Sequence, residues 1–516
     1  MTLAKQNSPI PSEDQLRFLR ALVLAFIGIH FVYAAALQLI PDEATYWVWS
    51  RHLAAGYLDH PPAIAFLIRA GTWLLGEQYE VAVRMLTPLM AAGAILITTA
   101  LARHVLRDTR AAVWVCLIWL TSPLLAGLGT FATPDTPGLF FSVCALAFAV
   151  LIAARDDQSE SAASSVLFWC VFGVFTGLAL LSKYTTILLP GAVALAMLFS
   201  RAGRRHYRRP WIYLSGILAL VVFSPVIWWN AHHQWASFLF QLHHGTETHA
   251  DSSHQTGLIF SFIRFWQDAG TYIGGQAGIF SPILFAIAMV VLVTYWRRYR
   301  TIAQIDRVLL WSGTLPLVFF GIIFLKSHHG EPNWPAFSYF PISLLMVRWL
   351  AEKWEGRRLN WTRAGVQVSV GILLAMHVIM WPAVTARMIR LPVHIPHVFT
   401  DLIGWREFGR AIASQAAVNN VQIVGDRHQV AAEASFYVPG QPEVWCINDG
   451  SRPEFYDYFD EKPDFTKIPA VLWIGGHSEP FARQYGYIEV TRTDLVFFPG
   501  KNDRRFLTIL LVRPQR

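Results

Sequence analysis

The sequence predicts a polytopic α-helical membrane protein of about eleven spans, followed by a small α/β domain outside the membrane. Three observations predict it. Of 516 residues, 54% are hydrophobic and only 15% charged, against roughly 45–50% and about 25% in soluble domains. Apolar runs long enough to cross a bilayer recur up to about residue 395. Lysine and arginine gather in alternate loops between those runs, the asymmetry that orients spans.

The runs begin near Leu19, Val83, Ala111, Pro134, Ser165, Thr185, Trp211, Gly275, Val308, Trp334 and Ala364. Each holds roughly 17–25 residues, the length a helix needs to cross the hydrocarbon core. The first ends in Pro41-Asp42-Glu43 rather than at a small-residue cleavage site, so it reads as an uncleaved span. The fifth and sixth are separated only by Ser182-Lys183-Tyr184. Basic clusters follow alternate spans: Arg103/Arg107/Arg110, Arg201/Arg204/Arg205/Arg208/Arg209, Arg297/Arg298/Arg300/Arg307 and Lys353/Arg357/Arg358/Arg363. The opposite loops carry chiefly Arg51, Arg69 and Arg264. The loop after the fourth run is the weak member, with Arg155 against Asp156, Asp157 and Glu160. This parity puts the N-terminus in the cytoplasm, and an odd number of spans puts the tail outside.

The expected organisation is a transmembrane domain over 1–395 and an outer α/β domain over 396–516. In the tail, Val421–Val424, Val444–Ile447, Val471–Ile474 and Phe506–Val512 read as strands. Leu402–Ser414 has helical spacing, with Leu402, Trp405, Phe408 and Ile412 on one face. The long outer loop from Ala231 to Arg264 is expected to hold some regular structure.

Several function classes are disfavoured. A net charge of +8 would suggest nucleic acid in a soluble chain. Here the basic residues lie in short loops, and no basic face with a stacking platform appears. Three of the four cysteines, Cys116, Cys144 and Cys170, lie inside apolar runs, and none pairs by spacing with another or with Cys446. No glycine-rich phosphate loop is present.

The polar residues that hydropathy does not explain fall on the outer side. Asp42, Glu43, Asp59 and His60 occupy the first outer loop, and Arg84 stands where the second span leaves it. Asp135 sits at the outer end of the fourth span and Lys183 at the junction of the fifth and sixth. Lys326, His328, His329, Glu331 and Asn333 follow the ninth. Ionisable groups at membrane depth are costly, which marks such a gathering as a candidate site. Each also has a plainer reading. Arg84 and Lys183 fit interface anchors, Asp135 a helix cap, Asp42 and Glu43 a solvated helix start, and His328 and His329 loop polar groups. The histidines His232, His233, His243, His244, His249 and His254 show no metal-binding motif. A divalent metal stays open.

Five motifs in order carry a family resemblance: Pro-Asp-Glu-Ala-Thr-Tyr-Trp at 41–47, Asp-His-Pro-Pro at 59–62, Thr-Pro-Asp-Thr-Pro at 133–137, Leu-Ser-Lys-Tyr-Thr at 181–185 and Glu-Pro-Asn-Trp-Pro at 331–335. Together with Gly404-Trp405-Arg406-Glu407 and Arg427-His428-Gln429 they resemble bacterial glycosyltransferases of the protein-O-mannosyltransferase-like group, in the GT-C superfamily, alongside the lipid A aminoarabinose transferases. The resemblance implies transfer of a sugar from a polyprenyl-phosphate carrier to a lipid, glycan or protein acceptor on the periplasmic face of the inner membrane. It places the catalytic base on Asp42. The aminoarabinose transferases carry Lys-Pro where this chain reads His60-Pro61-Pro62, which weakens aminoarabinose as the donor sugar.

The chemistry asks for a base on the acceptor hydroxyl and cations on the departing phosphate. Asp42 suits the first, supported by Glu43, Asp59 or Asp135. Lys183 and Arg84, with His60, suit the second. Single displacement with inversion is the expected stereochemistry, by analogy with inverting glycosidases. The alternative from another class is a transporter or flippase of lipid-linked glycans, which would need charged groups through the membrane depth.

Overall fold

The computed structural model describes residues 13–156, 162–244, 258–328, 330–352, 356–389, 402, 404–419, 421–447, 454–459, 462–476, 478–497 and 504–513. In chain order the helices are α1 (Glu13–Ala36), α2 (Pro41–Arg51), α3 (Ala63–Leu75), α4 (Glu80–Val83), α5 (Thr87–Leu106), α6 (Thr109–Leu120), α7 (Pro123–Thr130), α8 (Asp135–Asp156), α9 (Ala162–Leu180) and α10 (Leu188–Leu198). There follow α11 (Pro210–His232), α12 (Ala236–His244), α13 (Leu258–Phe280), α14 (Pro282–Arg297), α15 (Gln304–Ser327), α16 (Tyr339–Ala351) and α17 (Arg357–Ile389). The tail adds α18 (Trp405–Asn419), β1 (Gln422–Gly425), α19 (His428–Tyr437), β2 (Trp445–Cys446), β3 (Ala470–Ile474), α20 (Glu479–Tyr485), β4 (Ile488–Phe497) and β5 (Arg504–Val512).

Among the described residues, five stretches are long and apolar enough to cross a membrane as single helices: Arg17–Ala36, Glu80–Leu106, Asp135–Arg155, Pro210–His232 and Gln304–Ser327. Two pairs, α6 with α7 and α13 with α14, qualify together but bend by 62° and 109°. Shorter apolar helices cover Val166–Leu180, Tyr184–Leu198 and Ala336–Ala351. Each of the eleven expected runs falls on one of these helices or on α17. A further short apolar helix, Ala63–Leu75, lies where an outer loop was expected. The long loop between α11 and α13 holds α12, with 245–257 outside the described residues.

Two compact units emerge, and their boundary does not follow residue 395. One unit comprises 1–30, 87–130 and 134–376. Its apolar core includes Trp119, Phe280, Tyr339 and Phe340, all buried. Trp119 stacks on Phe340 with ring centroids 3.6 Å apart, and its indole N–H donates to Ser343 Oγ at 3.0 Å. Small residues allow close helix contacts there: a Cβ on Gly173 of α9 would come within 2.3 Å of the Ser215 carbonyl oxygen of α11.

The other unit joins 31–86 and 131–133 to 377–516. Its five-stranded sheet has the order β2-β1-β3-β5-β4. β1 runs parallel to β2 and β3, and β5 is antiparallel to β3 and β4. Four of these strands match the expected apolar runs. The missed one, β4, is an edge strand whose Glu489–Asp494 stretch is exposed and polar, so no continuous apolar run marks it. Helix α18 occupies the expected helical stretch and packs on α19. Gly409 permits that approach, because a Cβ there would meet the Tyr437 carbonyl oxygen at 2.2 Å.

Candidate active site

The motif at 41–47 becomes the start of α2. Pro41 takes the first helical position, where its missing N–H costs nothing. Asp42 and Glu43 then lie in the first turn, favoured by the helix dipole. The two acids diverge at once: Asp42 is exposed and Glu43 is wholly buried. Glu43 accepts hydrogen bonds from the backbone N–H groups of Ile40 at 3.1 Å and Ala132 at 2.8 Å. Both remaining bonds come from Arg84, through Nε at 2.7 Å and through Nη2.

Arg84, at the C-terminal end of α4, is also fully buried. Its guanidinium donates to the carbonyls of Leu37 at 2.9 Å, Gln38 at 2.8 Å and Ala34 at 3.3 Å. Those carbonyls close the C-terminal end of α1 and the turn after it, where a helix leaves acceptors unpaired. In place of the expected phosphate contact, Arg84 holds α1, α2 and α4 together.

The network continues into the tail. The side chain of Glu80, nearly buried, accepts from Arg406 through Nε at 3.0 Å and through Nη2, and from Tyr437 Oη at 3.2 Å. Tyr437 Oη in turn accepts from Leu39 N–H at 2.7 Å. Trp405 N–H donates to Gln38 Oε1 at 2.7 Å. Asp59 and His60 are half-buried beyond α2, and the His60 ring lies edge-on to Tyr46 at 6.1 Å. The tryptophans of α2 are packing groups: Trp47 meets Phe436 at 5.0 Å, and Trp49 stacks on Tyr57 at 4.4 Å.

In the other unit, Asp135 opens α8 and Lys183 precedes a 3₁₀ turn over Tyr184–Ile187. Lys183 Nζ lies 2.6 Å from Asp135 Oδ1, with side chains 13% and 14% exposed. The two side chains form a partly buried ion pair. His328 ends α15 in a left-handed conformation, and its Nδ1 lies 2.6 Å from Asp268 Oδ2. Glu331 is exposed and Asn333 half-buried, and their carbonyls shape the turn into α16. His329 lies outside the described residues, as do His249 and His254. No group of three or more metal-ligating side chains occurs among the described residues.

Sequence reasoning did not single out Glu80, Asp268 or Glu433, and named Arg406 only within a segment of the resemblance. Asp268 had a signal, an acid inside the apolar stretch Phe265–Tyr272. Glu80 and Glu433 had none, because their partners are distant in the chain.

Comparison with known proteins agrees with this architecture. Residues 59–229 match the family described as dolichyl-phosphate-mannose-protein mannosyltransferase. The lipid A galacturonosyltransferase RgtD of Rhizobium johnstonii is 29% identical over 441 residues, covering 81% of this chain and 84% of that protein. The chain is similar to these sugar transferases in sequence. The undecaprenyl phosphate-alpha-4-amino-4-deoxy-L-arabinose arabinosyl transferase 1 of Pseudomonas fluorescens is 26% identical, over 69% of this chain and 62% of that one. The crystal structure of ArnT from Cupriavidus metallidurans in the apo state shares the fold, with a TM-score of 0.60 at 18% identity, covering 96% of this chain and 98% of that one. The same fold appears in the structure of ArnT from Cupriavidus metallidurans bound to undecaprenyl phosphate, again with a TM-score of 0.60, at 17% identity.

Proposed function

We propose that this protein is an inverting glycosyltransferase of the bacterial inner membrane. It moves a sugar from a polyprenyl-phosphate carrier to an envelope acceptor, either lipid A or another part of lipopolysaccharide, another glycan, or a protein. The observation that carries the reading is the divergence of the first-turn acids of α2. Glu43 is locked by Arg84, while Asp42, one residue earlier on the same turn, is exposed. A carboxylate so placed can take the proton of an incoming hydroxyl. The likeness to RgtD along most of both chains supports a lipid-borne sugar acceptor.

In this reading Asp42 is the base. Lys183 meets the carrier phosphate and stabilises the negative charge that builds as the glycosidic bond breaks. Asp135 orients Lys183, as their 2.6 Å contact supports. Asp59 and His60 line the approach to α2, and His328, Glu331 and Asn333 shape a second polar edge. Eleven crossings, with the N-terminus in the cytoplasm and the tail in the periplasm, fit the coincidence of runs with helices and the alternation of loop charge.

The test is product formation by purified protein in proteoliposomes that contain a labelled undecaprenyl-phosphate sugar and a lipid A acceptor. Labelled acceptor is the expected result. Movement of the donor between leaflets without transfer would establish the flippase alternative instead.

A further inference from the structure

Helix α19 carries a carboxyl group that the reaction above leaves without a role. Glu433 is fully buried, and neither of its side-chain oxygens has a hydrogen-bond partner among the described residues. A carboxylate in that position has lost its water and gained nothing in return. Folds keep such groups rarely, and at positions where ionisation matters.

Its surroundings are specific. Helix α19 packs on α2, where Phe436 meets Trp47, and on α18, β1 and β2. From α2 it feels Asp42 and Glu43, and from α4 and its end Glu80 and Arg84. Helix α18 brings Arg406, already bound to Glu80, with Glu407 and Arg410 further along. Strand β2 brings Cys446, and β1 has no titratable side chain. On α19 itself, Tyr437 is engaged with Glu80, and His428 is paired with Glu454 at 2.6 Å. Arg51, at the far end of α2, donates to the Gln441 carbonyl. The inner acids Glu43 and Glu80 thus occupy Arg84 and Arg406, which leaves Glu433 with no cation of its own.

We propose that Glu433 is a positioning residue for the first turn of α2, and through it for Asp42, because it shares with Glu43 the buried surroundings of Arg84. The proposal rests on the reading of Asp42 as the base.

Burial, and then the negative charges of Glu43, Glu80 and Asp42, raise the Glu433 carboxyl well above the usual range, with Arg84 opposing. In the neutral form, Arg84 stays with Glu43 and the turn is held. When Glu433 gives its proton to solvent, a second anion competes for Arg84 and loosens the Glu43 clasp. The unfolded chain releases this proton near the ordinary glutamate value of about 4.3. Above that pH and below the native value, the folded state holds one more proton than the unfolded state. Stability is therefore complete below about pH 4.3 and declines as pH rises through that window.

The experiment compares wild type with Glu433→Gln, the neutral isostere, in one detergent between about pH 5 and about pH 9. Thermal unfolding and transfer kinetics are both read. Wild type should lose Tm progressively as pH rises toward the native ionisation, and kcat beyond it by about tenfold per pH unit, with KM for the donor unchanged. Glu433→Gln should match wild type at low pH and show no alkaline loss. An equal alkaline fall in both proteins, or a mutant that is folded but inactive at every pH, overturns the proposal. If Glu433→Gln does not fold, wild-type Tm alone decides, and a Tm that stays flat across the range overturns it. Absence of transfer by wild type at any pH refutes the proposed function instead, while the Tm series still reads Glu433.

Discussion

Arg84 and Glu43 meet as a two-point ion pair in which neither side chain has exposed surface, with Nε 2.7 Å from Oε1 and Nη2 on Oε2. The two residues come from different helices, and each also binds backbone groups of other segments. One contact therefore sets the height and rotation of the turn that presents Asp42.

Breaking that pair should destabilise the fold rather than merely slow it. Arg84→Met leaves a buried carboxylate without its cation, a change that typically costs about 3–5 kcal/mol. Arg84→Lys should recover little, because an ammonium cannot reproduce the forked geometry. The double variant Arg84→Met/Glu43→Gln should cost less than the sum of its parts. Thermal unfolding in detergent measures all three, and an Arg84→Met protein as stable as wild type would contradict the structural role.

Asp42→Asn should abolish turnover without altering stability, because Asp42 is exposed and the amide preserves size. The expected loss is about 10²–10⁴-fold in kcat. Glu43→Gln should separate from it cleanly by lowering Tm first. Near-normal turnover by purified Asp42→Asn would move the role of base to Asp59 or Asp135.

Lys183 and Asp135 should behave as one unit, given their 2.6 Å contact. Lys183→Met should lower kcat more than it raises KM, since a cation on the leaving phosphate gains strength as charge develops. Lys183→Arg should restore activity only in part. Asp135→Asn combined with Lys183→Met should be far from additive in a double-mutant cycle on kcat. Full additivity would show that the two groups act separately.

Orientation is testable by thiol labelling in a background lacking Cys116, Cys144, Cys170 and Cys446. Cysteine at the exposed Ser414 should react with an impermeant reagent added to spheroplasts, and cysteine at the exposed Arg204 should not. Gly203 is unsuitable, because a Cβ there would meet the Met197 backbone at 2.4 Å. Labelling of Arg204→Cys from outside would reverse the proposed topology.

The chain alone makes legible the apolar runs, the alternation of loop charge and four of the five tail strands. Each of these is a local property, written in composition or in a short period along the chain. It also marked Asp42, Asp135 and Lys183 as unusual, because an ionisable group beside a span is visible without a partner. That Glu43 and Arg84 are buried against each other while Asp42 is not becomes visible only in the folded chain. The two neighbours differ by 100° of helix rotation, and what lies on each side of α2 comes from residues far away in the chain. The same reason explains why Glu80 and Glu433 were silent: each is an ordinary charged residue until Tyr437 and α19 fold against residues 31–86. That long-range packing also places residues 31–86 and the tail in one compact unit. A hydropathy pattern, which reads one segment at a time, cannot express that grouping.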